Sequence, residues 1–121
     1  MATFRYLVNE VEPAIQFYSQ HLGFDRVERR GPAFAIVARG DLEIWLSGPQ
    51  ASAARPMPDG RQPEPGGWNR FVIVVRDIEA LVAEMKRAGV PFRNEILSGP
   101  GGKQILAEDP SGNPVEIFQP A

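Results

Sequence analysis

The sequence predicts an α+β protein built from two copies of a β-α-β-β-β unit. An internal repeat is the first sign, because residues 4–24 align with residues 71–90 at an offset of 67 positions until a one-residue gap near the glycines. Each copy holds an apolar strand, an amphipathic helix and a glycine exit, followed by three further apolar runs. Helices and strands segregate along the chain, which favours mixed sheets over a wound parallel sheet.

The first copy predicts one strand, one helix and three more strands. Residues 4–8 are apolar and rich in strand formers. Glu10-Val-Glu-Pro13 then opens a helix, since proline is tolerated in a first turn and carboxylates suit the positive end of the helix dipole. Apolar residues recur at helical spacing as far as Leu22, and Gly23 supplies the stop. Glycine turns separate the strands expected at 24–30, 33–39 and 42–47.

A change of composition separates the two copies. Residues 49–67 contain five prolines and three glycines, which predicts an exposed connector or a mobile flap. Beyond it we expect a helix at 78–88 and strands at 69–75, 92–97, 103–108 and 114–119, with Gly112 and Asn113 chosen for the shape of a turn. The predicted organisation is one domain over residues 1–121, with a first module at about 1–49, the connector at about 50–67 and a second module at about 68–121.

The length, charge and composition of the chain exclude several classes of binding partner. A chain of 121 residues suits one domain, and its formal charge of −2 supplies no basic field for nucleic acid. No apolar run has membrane-spanning length and the N-terminus does not resemble a signal peptide, so we expect no membrane association and a cytoplasmic location. The absence of cysteine excludes disulfides, thiolate chemistry and cysteine-bound zinc.

Three strings of the chain carry a family resemblance. They are AxxFYxxxLGF at 14–24, VRDIEA at 75–80 and EDPSGNPVEIFQP at 108–120. With them the chain resembles the glyoxalase, bleomycin-resistance and extradiol-dioxygenase group, the vicinal oxygen chelate superfamily. The resemblance implies two βαβββ modules that form a curved, mixed-sheet half-barrel cup, often completed by a dimer partner. We therefore expect a homodimer, which light scattering from a monomer at micromolar concentration would contradict.

The resemblance also implies where a metal would bind. Metal-using members hold ligands, usually His and Glu, at the start of each unit's first strand and within its last strand. Here those positions fall on Thr3, Trp45, Arg70 and Glu116. Threonine is a poor ligand, tryptophan is none, and a guanidinium repels a divalent ion. Glu43, which faces the same side as Trp45, offers a second carboxylate if the register is shifted. We expect no metal and no other cofactor.

Two interpretations are open for each prominent residue. Arg70 and Glu116 should face each other, either as an arginine that recognises an anion or, as we prefer, as a salt bridge replacing a metal site. Trp45 is either a stacking wall for a flat ligand or a packing residue. Trp68 is either the edge of a lid or, as we prefer, an anchor for the connector. Arg5 shares a face with Thr3, although a surface role is the simpler explanation.

The function that these expectations favour is a metal-free, small-molecule-binding cup, resembling antibiotic-binding resistance proteins. Its ligand would be partly apolar or aromatic. The alternative is a lyase, isomerase or dioxygenase-type enzyme of the same superfamily that uses Glu116 as a base or metal ligand. His21 lies far from the other candidates and cysteine is absent, so nucleophilic triads are excluded. The predicted ligand-binding residues are Thr3, Arg5, Leu7, Trp45, Arg70, Val72, Gln104, Glu116 and Phe118.

Overall fold

The computed structural model describes all 121 residues, which form two compact units. Unit 1 comprises Met1–Gly66 with Pro110–Asn113, and unit 2 comprises Gly67–Asp109 with Pro114–Ala121. Each unit contains one α-helix and one four-stranded mixed sheet, so the predicted α+β class and its repeated β-α-β-β-β order are confirmed. The organisation into modules and connector within one domain stays a prediction.

Unit 1 has the sheet order β1-β4-β3-β2, in which β1 pairs parallel to β4 and the other neighbours are antiparallel. Helix α1 packs on β2, β3 and β4. Over most of β3 and β4, buried residues alternate with half-buried ones, so one face forms the core with α1 and the other stays open. The elements are β1 (Ala2–Leu7), α1 (Val11–His21), β2 (Arg26–Arg30), β3 (Phe34–Arg39), β4 (Leu42–Ser47) and a 3-10 turn (Ser52–Ala54).

Unit 2 repeats this arrangement with the order β5-β8-β7-β6, in which β5 pairs parallel to β8. Helix α2 packs on β8, and Ile73, Ile105 and Ile117 fill the core between sheet and helix. The elements are β5 (Val72–Val74), α2 (Ile78–Arg87), β6 (Leu97–Gly99), β7 (Gly102–Glu108) and β8 (Pro114–Pro120).

The strand register is the same in both units. Arg5 lies opposite Trp45 in the parallel pair of unit 1, and Val72 lies opposite Glu116 in the parallel pair of unit 2. These are the positions that the sequence repeat aligns. The repeat therefore extends from the order of the elements to the pairing of individual residues.

The two helices begin differently. Asp77 precedes α2, and its side chain accepts a hydrogen bond of 3.1 Å from the Ala80 backbone N–H. Glu10 holds the equivalent place before α1 and makes no such bond. In the first turn of α1, a hydrogen bond from Arg29 lowers the pKa of Glu12.

The strand expected at 24–30 begins two residues late, at Arg26. Phe24 is instead part of the helix exit. Gly23 adopts a φ of 72°, the Phe24 N–H donates to the Tyr18 carbonyl at 3.1 Å, and the Phe24 ring is fully buried against Tyr18. The apolar side chain at this position closes the end of the helix, a role that periodicity alone does not distinguish from a strand.

The strand expected at 92–97 is wrong for most of its length, because β6 covers only Leu97–Gly99 and Phe92 makes an isolated bridge with Ala107. The cause is Asn94. Its side-chain oxygen accepts the Leu106 N–H at 3.0 Å, a donor that a neighbouring strand carbonyl would otherwise take. The strand expected at 69–75 is likewise reduced to Val72–Val74.

The segment Pro110–Asn113 belongs to unit 1, although the strands on either side of it belong to unit 2. Asn113 is 4% exposed; its amide donates to the Leu7 carbonyl and accepts from the Gly66 N–H, both at 2.8 Å. Ser111 accepts from the Asn9 N–H at 2.8 Å. Asn113 therefore links two other segments of unit 1 by hydrogen bonds, in addition to its place in a turn.

Neither helix has the length and apolar content that crossing a membrane requires.

Candidate ligand-binding site

The face of the unit 2 sheet that α2 leaves uncovered carries most of the predicted site. By register, Val72, Glu116 and Leu106 form one row across the sheet. The next row holds Val74, Phe118, Gln104 and Leu97. Residues in the same row point to the same side, so one carboxylate and one amide lie within an otherwise apolar surface.

Arg70 and Glu116 form an ion pair on this face. The guanidinium donates twice to one carboxylate oxygen, with Nε–Oε1 at 3.1 Å and Nη2–Oε1 at 2.9 Å. The Glu116 side chain is 12% exposed and that of Arg70 is 32% exposed. Nη1 of Arg70 also donates to the Trp68 carbonyl at 3.2 Å. The predicted contact between Arg70 and Glu116 is therefore present, and the charge of the carboxylate is matched within the protein.

Two adjoining cavities open on the same face. One has a volume of about 220 Å³ and is lined by Arg70, Glu116, Asn94, Gln104 and the hydrophobic residues Leu97, Ile105 and Leu106. The second, about 440 Å³, shares Leu97 and Gln104 with the first and extends along Phe118 to the glycines at 99, 101 and 102. Together they reach the size of ordinary small-molecule sites, ~300–1,000 Å³.

Arg93 fixes the chain just before β5. Its Nη1 donates to the Gly67 carbonyl at 2.6 Å, and its Nε donates to Glu108 at 2.8 Å. Its guanidinium carbon lies 4.5 Å from the centroid of the Trp68 ring, a cation–π contact. Trp68 is nevertheless 68% exposed, so it is held by Arg93 rather than buried as an anchor. These contacts of Arg93 hold residues 67 and 68 in place, and the Trp68 carbonyl accepts a hydrogen bond from Arg70.

The open face of the unit 1 sheet holds the other predicted residues. Arg5 lies across from Trp45, with its guanidinium carbon 5.0 Å from the ring centroid, and donates to Ser47 at 3.0 Å. The Trp45 indole N–H donates to Glu43 at 3.1 Å, and Phe34 meets the ring edge-on at 5.9 Å. Trp45 is half-buried, and its polar atom is satisfied.

Thr3 and Leu7 lie on the same strand face as Arg5, one on either side of it. Thr3 is exposed and pairs with Glu43 across the sheet. Leu7 lines a separate cavity of about 120 Å³ against the prolines of the segment that follows β4. The structure thus groups Thr3, Arg5 and Trp45 in unit 1, and it groups Arg70, Val72, Gln104, Glu116 and Phe118 in unit 2.

The family model of the Glyoxalase/Bleomycin resistance protein/Dioxygenase superfamily matches residues 1–117. The chain belongs to this superfamily. No curated protein matches it significantly.

Solved structures of the superfamily share its fold. A superfamily member from Sphaerobacter thermophilus is 24% identical, with 98% of this chain and 95% of that chain covered and a TM-score of 0.76. An antibiotic-binding protein from a Streptomyces species is 25% identical, with coverages of 98% and 93% and a TM-score of 0.74. A lactoylglutathione lyase from Agrobacterium tumefaciens is 19% identical, with coverages of 98% and 92% and a TM-score of 0.71.

The surroundings of Glu116 do not suit the divalent metal that some members of this superfamily use. Its nearest charged neighbour is the Arg70 guanidinium, and the other polar groups of the cavity are the amides of Asn94 and Gln104. Amide oxygens are weak ligands for transition metals, and a bound guanidinium opposes a second cation. No group of three or more His, Cys, Asp or Glu side chains is arranged to hold an ion.

Sequence reasoning missed four residues of the unit 2 site. Leu106 lies two residues after Gln104 in a predicted strand, so strand alternation alone places it on the same open face. Leu97 lies at the end of a predicted strand whose extent was wrong. Asn94 and Arg93 act through side-chain bonds to the backbone of other segments, and the sequence carries no periodic signal for such contacts.

Proposed function

We propose that this protein binds a partly apolar or aromatic small molecule on the open face of unit 2, without a metal cofactor. One observation carries the proposal. The carboxylate at the position where metal-using relatives would hold a ligand is already bound to the Arg70 guanidinium. A pair of this kind needs no ion to balance its charge.

The apolar character of the face supports a small organic guest. Val72, Val74 and Leu97 are 47%, 58% and 53% exposed, and they adjoin the two cavities or lie in the same rows as their lining residues. Exposed apolar side chains that surround a concavity are typical of ligand-binding surfaces. The fold shared with an antibiotic-binding protein is consistent with this function.

A metal assay and a dye titration test the two parts of the proposal. Protein purified in metal-free buffers should contain less than about 0.1 equivalent of zinc, nickel, iron or manganese by elemental analysis. Nile red, a neutral aromatic dye, should gain fluorescence with the wild type. The Leu97→Lys variant should weaken binding roughly tenfold, because it places a charge on the apolar face.

Met57→Lys is the matched control. Met57 is 43% exposed in unit 1, so a lysine there changes net charge equally without altering the unit 2 face. Equal dye binding by both variants would contradict the proposed location. A stoichiometric metal would contradict the metal-free function and would favour the alternative, an enzyme of the same superfamily that uses Glu116 as a ligand or base.

A further inference from the structure

We infer that the unit 2 site selects an uncharged guest that presents an N–H or O–H donor to Glu116 next to an acceptor, on an apolar frame. An amide joined to an aromatic ring is the simplest example. This inference rests on the proposed function and names the chemistry of its ligand. It also assigns Arg70 the role of a salt-bridge partner and not that of an anion-recognising residue, because the expected guest is uncharged.

The two oxygens of Glu116 are used differently. Oε1 accepts both hydrogen bonds from Arg70, whereas Oε2 makes none. No polar side-chain atom that is fully buried lacks a partner, so this unpartnered oxygen is accessible, and Glu116 is one of the residues that line the cavity. A carboxylate oxygen accepts hydrogen bonds and cannot donate while it is ionised. The group that fits against it is therefore a donor.

Arg70 does not offer an equivalent site for an anion. Three of its N–H bonds are taken, two by Glu116 and one by the Trp68 carbonyl. The ion pair has no net charge, so it exerts little attraction on a carboxylate or phosphate. An anion in the cavity would also lie beside the free Glu116 oxygen, and like charges at short distance repel.

The amides beside Glu116 supply the complementary half of the site. Asn94 uses its oxygen to accept the Leu106 N–H, which leaves its NH₂ group as the free end. Gln104 makes no side-chain hydrogen bond and lines both cavities. Either amide can donate to a guest carbonyl while the neighbouring N–H of the guest donates to Glu116. Leu97, Leu106 and Phe118 surround this polar group with apolar surface.

Three naphthalene probes of similar size separate the possibilities. 2-Naphthamide offers a donor and an acceptor, methyl 2-naphthoate offers only acceptors, and 2-naphthoate is an anion. Binding to the ¹⁵N-labelled full chain is followed by NMR through the side-chain amide signals of Asn94 and Gln104. We expect the amide to bind roughly tenfold more tightly than either other probe, as one hydrogen bond to a charged acceptor implies.

The Glu116→Gln variant should abolish this preference. Arg70 would retain the side-chain carbonyl, so the new NH₂ group would face the cavity and present a donor instead of an acceptor. The amide and the ester should then bind within about twofold of each other. Glu12→Gln is the matched control, because it changes another arginine-bound carboxylate outside unit 2 and should leave the wild-type order intact.

The outcomes distinguish this inference from the function on which it rests. Wild-type protein that binds the naphthoate anion as tightly as the amide would overturn the selectivity while the binding function stands. That order is measured on wild type, so it decides the matter even if Glu116→Gln fails to fold. Survival of the tenfold preference in a folded Glu116→Gln protein would also overturn it. If no probe moves the signals of the unit 2 face, the binding function itself fails.

Discussion

Gly102 begins β7 at a point where the backbone leaves no room for a side chain. Its φ is 141°, and a Cβ atom built there would lie 2.1 Å from the Gln119 carbonyl oxygen of the neighbouring strand. Gly101, the preceding residue, has neither constraint, since nothing lies within 4 Å of its Cβ position. Both glycines line the larger cavity of unit 2.

The Gly102→Ala substitution should lower the free energy of unfolding by about 1–3 kcal/mol, because it combines backbone strain with a steric clash. Gly101→Ala should change it by less than about 0.5 kcal/mol. Urea unfolding followed by circular dichroism measures both. Equal stability of the two variants would show that β7 and β8 can shift to accommodate the added methyl group without a loss in the free energy of unfolding.

Single residues differ in how far the sequence predicts their contacts. The contact between Arg70 and Glu116 was expected from the family resemblance, which implies that these two positions are neighbours within one unit. Arg70 precedes β5, and Val72 is the residue that lies opposite Glu116 in the strand register. Asn113 was interpreted only as a turn residue. Its partner Leu7 is 106 positions away, and no local pattern records a contact of that separation.

At the scale of elements, the two helices provide a comparison within one chain. They occupy equivalent places in the repeat, yet only α2 has a side-chain cap at its start. A capping carboxylate satisfies one of the backbone N–H groups that the first turn leaves free. Asp77 supplies this bond, and Glu10 does not.

Asp77→Ala should therefore destabilise the protein by about 1 kcal/mol. Glu10→Ala removes a carboxylate from the same position of α1 and should cost less than about 0.5 kcal/mol. The melting temperatures of the two variants test this difference. A Glu10→Ala variant that melts as low as Asp77→Ala would mean that the long-range charge, and not the cap, stabilises these helix starts.

Hydrophobic periodicity predicted every helix and nearly every strand, and its failures have local causes. Phe24 continues an apolar run but closes the end of α1. The run at 92–97 has the composition of a strand, but the Asn94 side chain takes a bond that the strand would need. In both places a local contact replaces the strand. Phe24 bonds to Tyr18 through its backbone N–H and buries its ring there, whereas Asn94 uses its side-chain oxygen.

At the scale of the whole molecule, the chain passes between the two units three times. It does so after Gly66, after Asp109 and after Asn113. Asn113 and Ser111 bond to Leu7 and Asn9, so residues late in the chain complete the first unit. The homodimer and the cytoplasmic location stay predictions.

Cutting the chain once should not separate its two pieces. A protease site inserted in the exposed turn at Asp59-Gly60 leaves Leu7 on one fragment and Asn113 on the other. We expect the cleaved fragments to co-elute in gel filtration, because the hydrogen bonds of Asn113 and Ser111 hold residues 110–113 within unit 1. Immediate separation in native buffer would contradict this.

Asn113→Ala should weaken the association of the cleaved fragments. Loss of two buried hydrogen bonds should let them separate at roughly 1 M lower urea. Ser98→Ala, an exposed position on β6, serves as the control and should leave the urea concentration of separation unchanged.

Residues 110–113 belong to unit 1 although the strands on either side belong to unit 2. This limits how the unit 2 cavities could be reused in protein engineering. A designer who transplants residues 67–121 as one cassette would carry Ser111 and Asn113, whose hydrogen-bond partners Asn9, Leu7 and Gly66 would stay behind in the donor. The recipient scaffold would have to supply one backbone carbonyl and two backbone N–H groups at equivalent positions. Otherwise the hairpin between β7 and β8 would have to be rebuilt with a shorter turn before the graft could fold.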